Sequence, residues 1–221
     1  MDRDQKNKFE KLRAKQSGNE GLYLEFEDKE WPLTYTDHDR QIARAIVVDD
    51  EENYYFVRMD RSDAFGAVTL VETSGGGVEE GESPEAAIRR ELKEELGAEV
   101  EILCKLGLVS DYYNLVHRHN LNHYFLCRVK SFGETKLTRD EEEEFHLKKI
   151  KLRYEEAVAA YEEGLNSRLG RLLAAGTSRV AAGKRASRMK SGNFEHKNNT
   201  GRKYKSCISN PCFIYLRIPL P

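Results

Sequence analysis

The chain has 221 residues, of which 39% are hydrophobic and 33% are charged. This length fits one domain, or one domain with an appendage, and the apolar fraction excludes a wholly disordered protein. No run of about 18 apolar residues is present, which excludes a membrane-spanning helix. The first residues, MDRDQKNKFEKL, lack the apolar stretch of a secretory signal, and four cysteines form no dense framework. We therefore expect a cytoplasmic protein without a membrane partner.

The formal net charge of −2 is unevenly distributed along the chain. Residues 176–221 hold ten Lys and Arg residues and one acid, Glu195, whereas residues 1–175 hold 26 basic and 37 acidic residues. The segment from 176 also lacks a sustained helix or strand period, which favours a disordered tail or one that is not native to the domain. The alternative is a basic arm that binds RNA or another polyanion. We divide the chain into a polar N-terminal extension (1–20), a domain (21–175) and a basic tail (176–221).

Within the domain, strands alternate with a few helices. Strands are predicted at 22–27, 42–50, 54–60, 67–72, 99–108, 122–130 and 145–152, the last of these after an acidic run at 140–145. The turn-rich DDEEN connection makes the second and third strands a hairpin. Helices are predicted at about 84–96 and over 154–175, with a break near Gly164. This mixture predicts an α/β or α+β sandwich.

The helix at 84–96 follows three consecutive glycines and has clear end signals. Ser83 can cap its N-terminus, Pro84 suits the first helical position, and Gly97 suits a left-handed C-cap. At about 100° per residue, Glu91 and Glu95 lie about 40° apart, with Glu94 about 60° to the other side. The helix therefore carries three carboxylates on one flank, beside an apolar stripe.

Three like charges on one flank repel each other unless a cation lies among them. A hard divalent ion with oxygen ligands, Mg²⁺ or Mn²⁺, suits such a set, and the glycine loop would let the backbone approach it closely. Arg90 could orient a carboxylate by a forked hydrogen bond. The alternative is a solvated acidic helix face, which is the usual fate of such runs.

The spacing of these residues resembles the Nudix box, G-x5-E-x7-R-E-U-x-E-E-x-G-U, in which U is a bulky apolar residue. The matching positions are Gly76, Glu82, Arg90, Glu91, Leu92, Glu94, Glu95 and Gly97. Ala98 is small at the last position, and Ser74 stands where many members have a proline. The resemblance to the Nudix hydrolase family extends from about residue 20 to residue 175.

This resemblance implies an α/β fold, an α/β/α sandwich on a mixed sheet. It also implies hydrolysis of a pyrophosphate bond in a nucleoside diphosphate linked to a moiety X, with Mg²⁺ or Mn²⁺ as cofactor. The implied metal ligands are Glu91, Glu94, Glu95 and the Gly75 carbonyl, and the implied supporting residues are Arg90, Glu82, Gly76 and Gly97. Family members often take a general base from a downstream loop, for which the acidic run offers Glu143 or Glu144; a solvated charge run is the alternative.

Two further groups of residues leave alternatives open. The first is a set of histidines that could bind a metal, although no cysteine or carboxylate cluster with zinc spacing accompanies them, so loop or strand-surface positions are favoured. The second is a set of arginines that could meet phosphates, with surface pairing to nearby acids favoured. The histidines are His117, His119 and His123, and the arginines are Arg40, Arg44 and Arg58.

The substrate and the partners are less defined than the box. Where ADP-ribose pyrophosphatases carry a proline downstream of the box, this chain has Tyr113. We expect a small-molecule nucleotide as partner, leave a homodimer open, and expect nucleic acid only if the basic tail is functional. Two function classes remain. The first, a metal-dependent pyrophosphohydrolase, is favoured by the intact carboxylates, and the second is a catalytically weak module that binds a nucleotide or RNA.

Overall fold

The computed structural model describes residues 22–173 and two short strands at Glu195–Lys197 and Lys203–Lys205. These two strands pair with each other antiparallel. The predicted polar extension over 1–20 and the rest of the basic tail from 176 lie outside the described residues. No helix of the described residues is long and apolar enough to cross a membrane.

Residues 22–173 form eight strands, three α-helices and a short 3-10 helix at Asn114–Val116, with a further helical stretch at 168–173. The strands are β1 (Leu22–Phe26), β2 (His38–Val48), β3 (Tyr54–Asp63), β4 (Gly66–Glu72), β5 (Gly75–Gly77), β6 (Ala98–Tyr113), β7 (Arg118–Phe132) and β8 (Lys148–Leu152). The helices are α1 (Pro84–Leu96), α2 (Arg139–Glu143) and α3 (Tyr154–Gly164). The break predicted near Gly164 is confirmed.

The eight strands form one mixed sheet in the order β1-β6-β7-β2-β3-β4, with β5 paired to β2 and β8 paired to β3. β1 is parallel to β6 and β2 is parallel to β7, whereas the other neighbours are antiparallel. The predicted hairpin between β2 and β3 is confirmed, because Val48 lies opposite Tyr54.

Alternating side chains give this sheet two buried faces. On one face, Ala45 and Val47 of β2 and Phe125 of β7 pack with buried apolar residues of α1. On the other face, Ile46 of β2 packs with Tyr161 of α3. Because successive residues of a strand point to opposite faces, one strand supplies both cores. Helices therefore cover both faces, and the expected α/β/α sandwich on a mixed sheet is confirmed.

Two local predictions were incomplete. The glycines at 75–77 form strand β5 rather than a loop, since they pair in register with residues 42–44 of β2. Gly75 has a φ of 142°, and a β-carbon there would lie 2.1 Å from the Ala43 carbonyl oxygen, so only glycine fits this pairing. The acidic run forms the short helix α2, capped by Thr138, whose side chain accepts from the Glu141 backbone while Glu141 accepts from the Thr138 backbone.

Strands β6 and β7 are longer than predicted. The sequence pattern stopped at residue 108 and began again at 122, but the two strands pair as far as Tyr113 and Arg118. The added segments carry buried polar residues that hide the apolar alternation. Asn120 and Asp111, for example, lie in the added segments, and the Asp111 carboxylate accepts hydrogen bonds from Asn120 and from the neighbouring Asn122 at 3.1 Å each. Hydrogen bonding of these polar groups makes their burial tolerable.

Candidate active site

Helix α1 is positioned by its caps and by its apolar face. The Ser83 side chain accepts a hydrogen bond from the Ala86 backbone, Pro84 occupies the first turn, and Gly97 adopts the left-handed conformation with a φ of 65°. All three end signals predicted from the sequence are confirmed. Ile88, Leu92 and Leu96 on α1 are fully buried against the sheet. This anchoring fixes the direction in which the neighbouring carboxylates of the helix point.

Arg90 lies at the centre of the acidic flank. Its guanidinium donates to Glu91 at 2.8 Å, to Glu94 at 3.2 Å and to Glu82 at 3.0 Å. It also donates to the Gly77 carbonyl oxygen at 2.9 Å, which ties α1 to β5. These contacts raise the pKa of Arg90, the hydrogen bond with Glu82 being the largest cause. One positive charge therefore neutralises only part of the charge of three carboxylates, and this flank of α1 keeps a net negative charge.

Glu95 is held apart from this group. Its Oε2 accepts from the Ser74 hydroxyl and, at 2.9 Å, from the Gly75 backbone N–H. The side chain is buried, and desolvation raises its pKa to about 8 despite both hydrogen bonds. The Ser74 contact was missed in the sequence, where this residue counted only as a departure from the family pattern.

Glu91 is also buried and lies directly against the glycine strand. A β-carbon at Gly76 would lie 2.5–2.6 Å from the Glu91 carboxylate atoms, so the absence of a side chain makes room for that carboxylate. Desolvation raises the pKa of Glu91, and the charges of Glu94 and Glu141 add to this shift, while Arg90 opposes it. The site thus holds two buried carboxylates whose ionised forms lack full compensation.

These residues fit a hard divalent cation by the chemistry of their donors, which are carboxylate oxygens in excess over positive charge. In this structure, Arg90 donates hydrogen bonds to Glu91 and Glu94, and the Ser74 hydroxyl donates to Glu95. Accordingly, no three acidic, histidine or cysteine side chains converge on one metal position within residues 22–173. Arg90 nevertheless joins Glu82, Glu91 and Glu94 into one group, and Glu95 lies beside this group, against the glycine strand, where it accepts from Gly75.

The two residues suggested as general base form no hydrogen bond or ion pair with the box residues in the part of the chain that the structure describes. Glu143 is exposed and pairs with Arg139 at 2.7 Å. Glu144 is exposed and lines an open pocket beside the β3–β4 hairpin. Glu141 is half-buried, and its charge contributes to the raised pKa of Glu91. Of the acidic run, Glu141 is the member whose charge acts on the box.

The three candidate histidines are not together on a surface. His119 is buried, with its ring nitrogens hydrogen-bonded to Ser110 at 2.8 Å and to Asp39 at 2.9 Å. His123 is also buried, and desolvation lowers its pKa to about 4. The prediction of surface positions was therefore wrong for these two residues, because the polar segment of β7 is a central strand. His117 lies before β7 and stacks on Tyr35.

The arginine predictions divide in the same way. Arg58 lies 3.7 Å from Asp60 on the surface, so surface pairing is confirmed for it. Arg44 is paired with an acid too, Glu72 at 3.3 Å, but this pair is largely buried, so the expected surface position was wrong for Arg44. Arg40 forms no ion pair with an acid of residues 22–173. Its guanidinium lies over Gly77, where a β-carbon would approach its Nη2 to 2.9 Å.

The sequence of this chain matches a known protein family. The family model described as NUDIX domain matches residues 39–170, more than half of the chain. Among solved structures, a NUDIX hydrolase from Nitrosomonas europaea is 21% identical, with a TM-score of 0.48, covering 57% of this chain and 79% of that one. A MutT NUDIX hydrolase from Burkholderia pseudomallei is 19% identical, with a TM-score of 0.45, covering 54% of this chain and 87% of that one. A search of curated proteins gave no match.

With its family-model match over residues 39–170, the chain belongs to the Nudix family of hydrolases, which act on pyrophosphate bonds.

Proposed function

We propose that this protein hydrolyses a pyrophosphate bond in a nucleoside diphosphate linked to a moiety X, and that it does so with Mg²⁺ or Mn²⁺. The observation that carries the proposal is the pair of buried carboxylates, Glu91 and Glu95, whose pKa values burial raises. A buried carboxylate with a raised pKa lacks compensation for its charge, and a divalent cation supplies that compensation. We assign Glu91, Glu94, Glu95 and the Gly75 carbonyl as the groups that would hold the ion.

The remaining residues of the box orient these ligands. Arg90 holds Glu91 and Glu94 through one nitrogen, and its second nitrogen is held by Glu82 and the Gly77 carbonyl. The Ser74 hydroxyl and the Gly75 N–H hold one oxygen of Glu95. When bound, the metal would activate water and neutralise charge that develops on the pyrophosphate. Gly97 supports the site by ending α1 directly after Leu96.

An acid of the α2 segment would accept the proton of the attacking water. The sequence offers Glu143 and Glu144 for this role. Glu141 is a third candidate, because its charge contributes to the raised pKa of Glu91. A base near a metal-bound water is expected to titrate in the pH–rate profile. Separate Gln substitutions at these three positions, each followed by a pH–rate profile, assign the role.

The test of the function is turnover of a nucleotide panel. Nucleoside triphosphates, dinucleoside polyphosphates, nucleotide sugars and ADP-ribose are incubated with Mg²⁺ or Mn²⁺, and release of nucleoside monophosphate or phosphate is measured. Glu95→Gln should abolish turnover while the far-UV circular dichroism is retained. Glu85→Gln is the matched control, since Glu85 is an exposed acid in the first turn of the same helix.

The outcomes separate the two function classes. Metal-dependent release that is lost in Glu95→Gln and retained in Glu85→Gln supports hydrolysis. Nucleotide binding without turnover across the panel supports the binding module instead. Full activity of Glu95→Gln contradicts the site assignment.

A further inference from the structure

Two arginines lie next to each other on the sheet face opposite α1. In the parallel pairing of β2 and β7, Arg118 lies opposite His38, and Asn120 lies opposite Arg40. Because side chains alternate along a strand, Arg40 and Arg118 are diagonal neighbours on one face. Their charges interact, since Arg40 contributes to lowering the pKa of Arg118, although burial is the larger cause.

Neither guanidinium is neutralised by an ion pair within residues 22–173. Arg118 is half-buried and its Nε is a buried donor without a hydrogen-bond partner. The charge of Asp111 reaches Arg118, but the Asp111 carboxylate accepts hydrogen bonds from Asn120 and Asn122. An unpaired, partly desolvated guanidinium is costly, and an anion that paired with it would remove that cost.

The ring of Tyr113 supports Arg118 from one side, with the guanidinium carbon 5.2 Å from the ring centroid. This contact restricts the side chain and leaves its fork of donors available to a planar or tetrahedral anion. Other arginines on strands behave differently: Arg128, on the same strand and the same face as Arg118, lies 3.6 Å from Asp50. The two unpaired arginines are therefore a local feature of one end of the sheet.

Strand β5 connects these arginines with the carboxylates. A β-carbon at Gly76 would point to Glu91, whereas one at Gly77 would point to the Arg40 guanidinium. The glycine strand thus lies between the acidic site on one face and the two arginines on the other. Without side chains, it presents only backbone between a cation-binding group and an anion-binding group.

We propose that Arg40 and Arg118 form a phosphate-binding subsite, which takes the phosphate of a pyrophosphate-containing ligand that lies away from the Glu91–Glu95 carboxylates. Two adjacent forked donors favour a multiply charged oxyanion over a single carboxylate. The identification of this ligand as the substrate rests on the proposed function. The binding of an anion by the two arginines is independent of the proposed function.

The experiment is calorimetric titration of the full chain with inorganic pyrophosphate, in low salt with EDTA so that no divalent ion contributes. The wild-type protein should bind pyrophosphate. Arg40→Gln and Arg118→Gln should each weaken binding about tenfold, because each removes a charge-assisted contact. Arg118→Lys keeps the charge but not the fork of donors, so it should recover only part of the affinity lost in Arg118→Gln. Arg128→Gln is the matched control on the same strand. Circular dichroism and thermal melting establish that each variant is folded.

Two results overturn the subsite: no pyrophosphate binding by the folded wild-type protein, or equal affinities of Arg40→Gln, Arg118→Gln and Arg128→Gln. The second result would assign pyrophosphate binding to another part of the chain, such as the basic tail. Glu95→Gln should keep metal-free pyrophosphate binding while it loses turnover. Arginine-dependent binding together with an inactive nucleotide panel would thus contradict the proposed function and retain the subsite.

Discussion

Two acidic segments of this chain differ in their surroundings far more than in their composition. Helix α1 carries Glu91, Glu94 and Glu95, of which the first and last are buried beside the glycine strand. Helix α2 and the residue after it carry the run Asp140–Glu144, and no residue of α2 is buried. A carboxylate in water needs no partner, whereas a buried one needs hydrogen bonds or a cation.

The difference originates in what lies next to each acid along the helix. On α1, the acids alternate with Ile88, Leu92 and Leu96, which draw that side of the helix into the core. On α2, the neighbours of the acids are other acids, so nothing draws the helix inward. The number of acids in a segment therefore does not predict a buried carboxylate, whereas an acid next to an apolar stripe and a glycine strand does.

The largest expected effect comes from removing the buried charge itself. Glu95→Gln should lower turnover by at least about 10²-fold, because loss of residues that only support a metal ligand already costs about 10- to 100-fold. The measurement is the initial rate on whichever nucleotide of the panel is hydrolysed. Retained activity in this variant would contradict the claim that the buried acids of α1 differ in function from the exposed acids of α2.

A second prediction concerns the hydroxyl that holds Glu95. Ser74→Ala should weaken metal binding about 10- to 100-fold, because the Glu95 carboxylate loses one of two donors that orient it. The measurement is the Mg²⁺ concentration for half-maximal rate. Ser74→Thr keeps the hydroxyl and should stay near the wild-type value, whereas equal loss in both variants would indicate a packing effect.

The raised pKa of Glu95 also predicts how stability depends on pH in the metal-free protein. Between pH 6 and 8 the folded protein retains a proton on Glu95 that the unfolded chain has already released. The contribution of Glu95 to the free energy of unfolding should therefore fall as the pH rises through this interval. Glu95→Gln should lack this fall. Urea denaturation in EDTA at pH 6, 7 and 8 measures both slopes, and parallel slopes would contradict the assignment.

The comparison with Glu95→Gln separates Glu95 from two other groups that act near pH 6. Burial raises the pKa of Asp111 to about 6, so its contribution to the slope fades as the pH rises above 6. Burial lowers the pKa of His123 to about 4, so this residue acts on the slope with the opposite sign near pH 6. Added Mg²⁺ should reverse the trend in the wild-type protein, since metal binding requires deprotonated carboxylates and strengthens as the pH rises.

Much of α1 could be predicted from the sequence because its signals are local. The Ser83 cap, Pro84 in the first turn and the Gly97 C-cap lie within one helix, and periodicity places the acids on one flank. The Ser74–Glu95 bond and the Arg40–Arg118 pair could not be predicted, because they depend on strand register. Register is a long-range property, and it was hidden where polar residues such as Asn120 are buried in β7.

The smallest expected effect belongs to the exposed acids of α2. Glu143→Gln removes an exposed pair with Arg139 four residues earlier, which is worth about 0.3–0.5 kcal/mol. If Glu143 is the general base, the basic or acidic limb of the pH–rate profile must change as well; if it is solvated, stability alone shifts by that small amount. Glu141→Gln is the comparison, since Glu141 is half-buried and its charge acts on Glu91. We expect the profile to change most in Glu141→Gln, and a larger change in Glu143→Gln would place the base on the exposed side of α2.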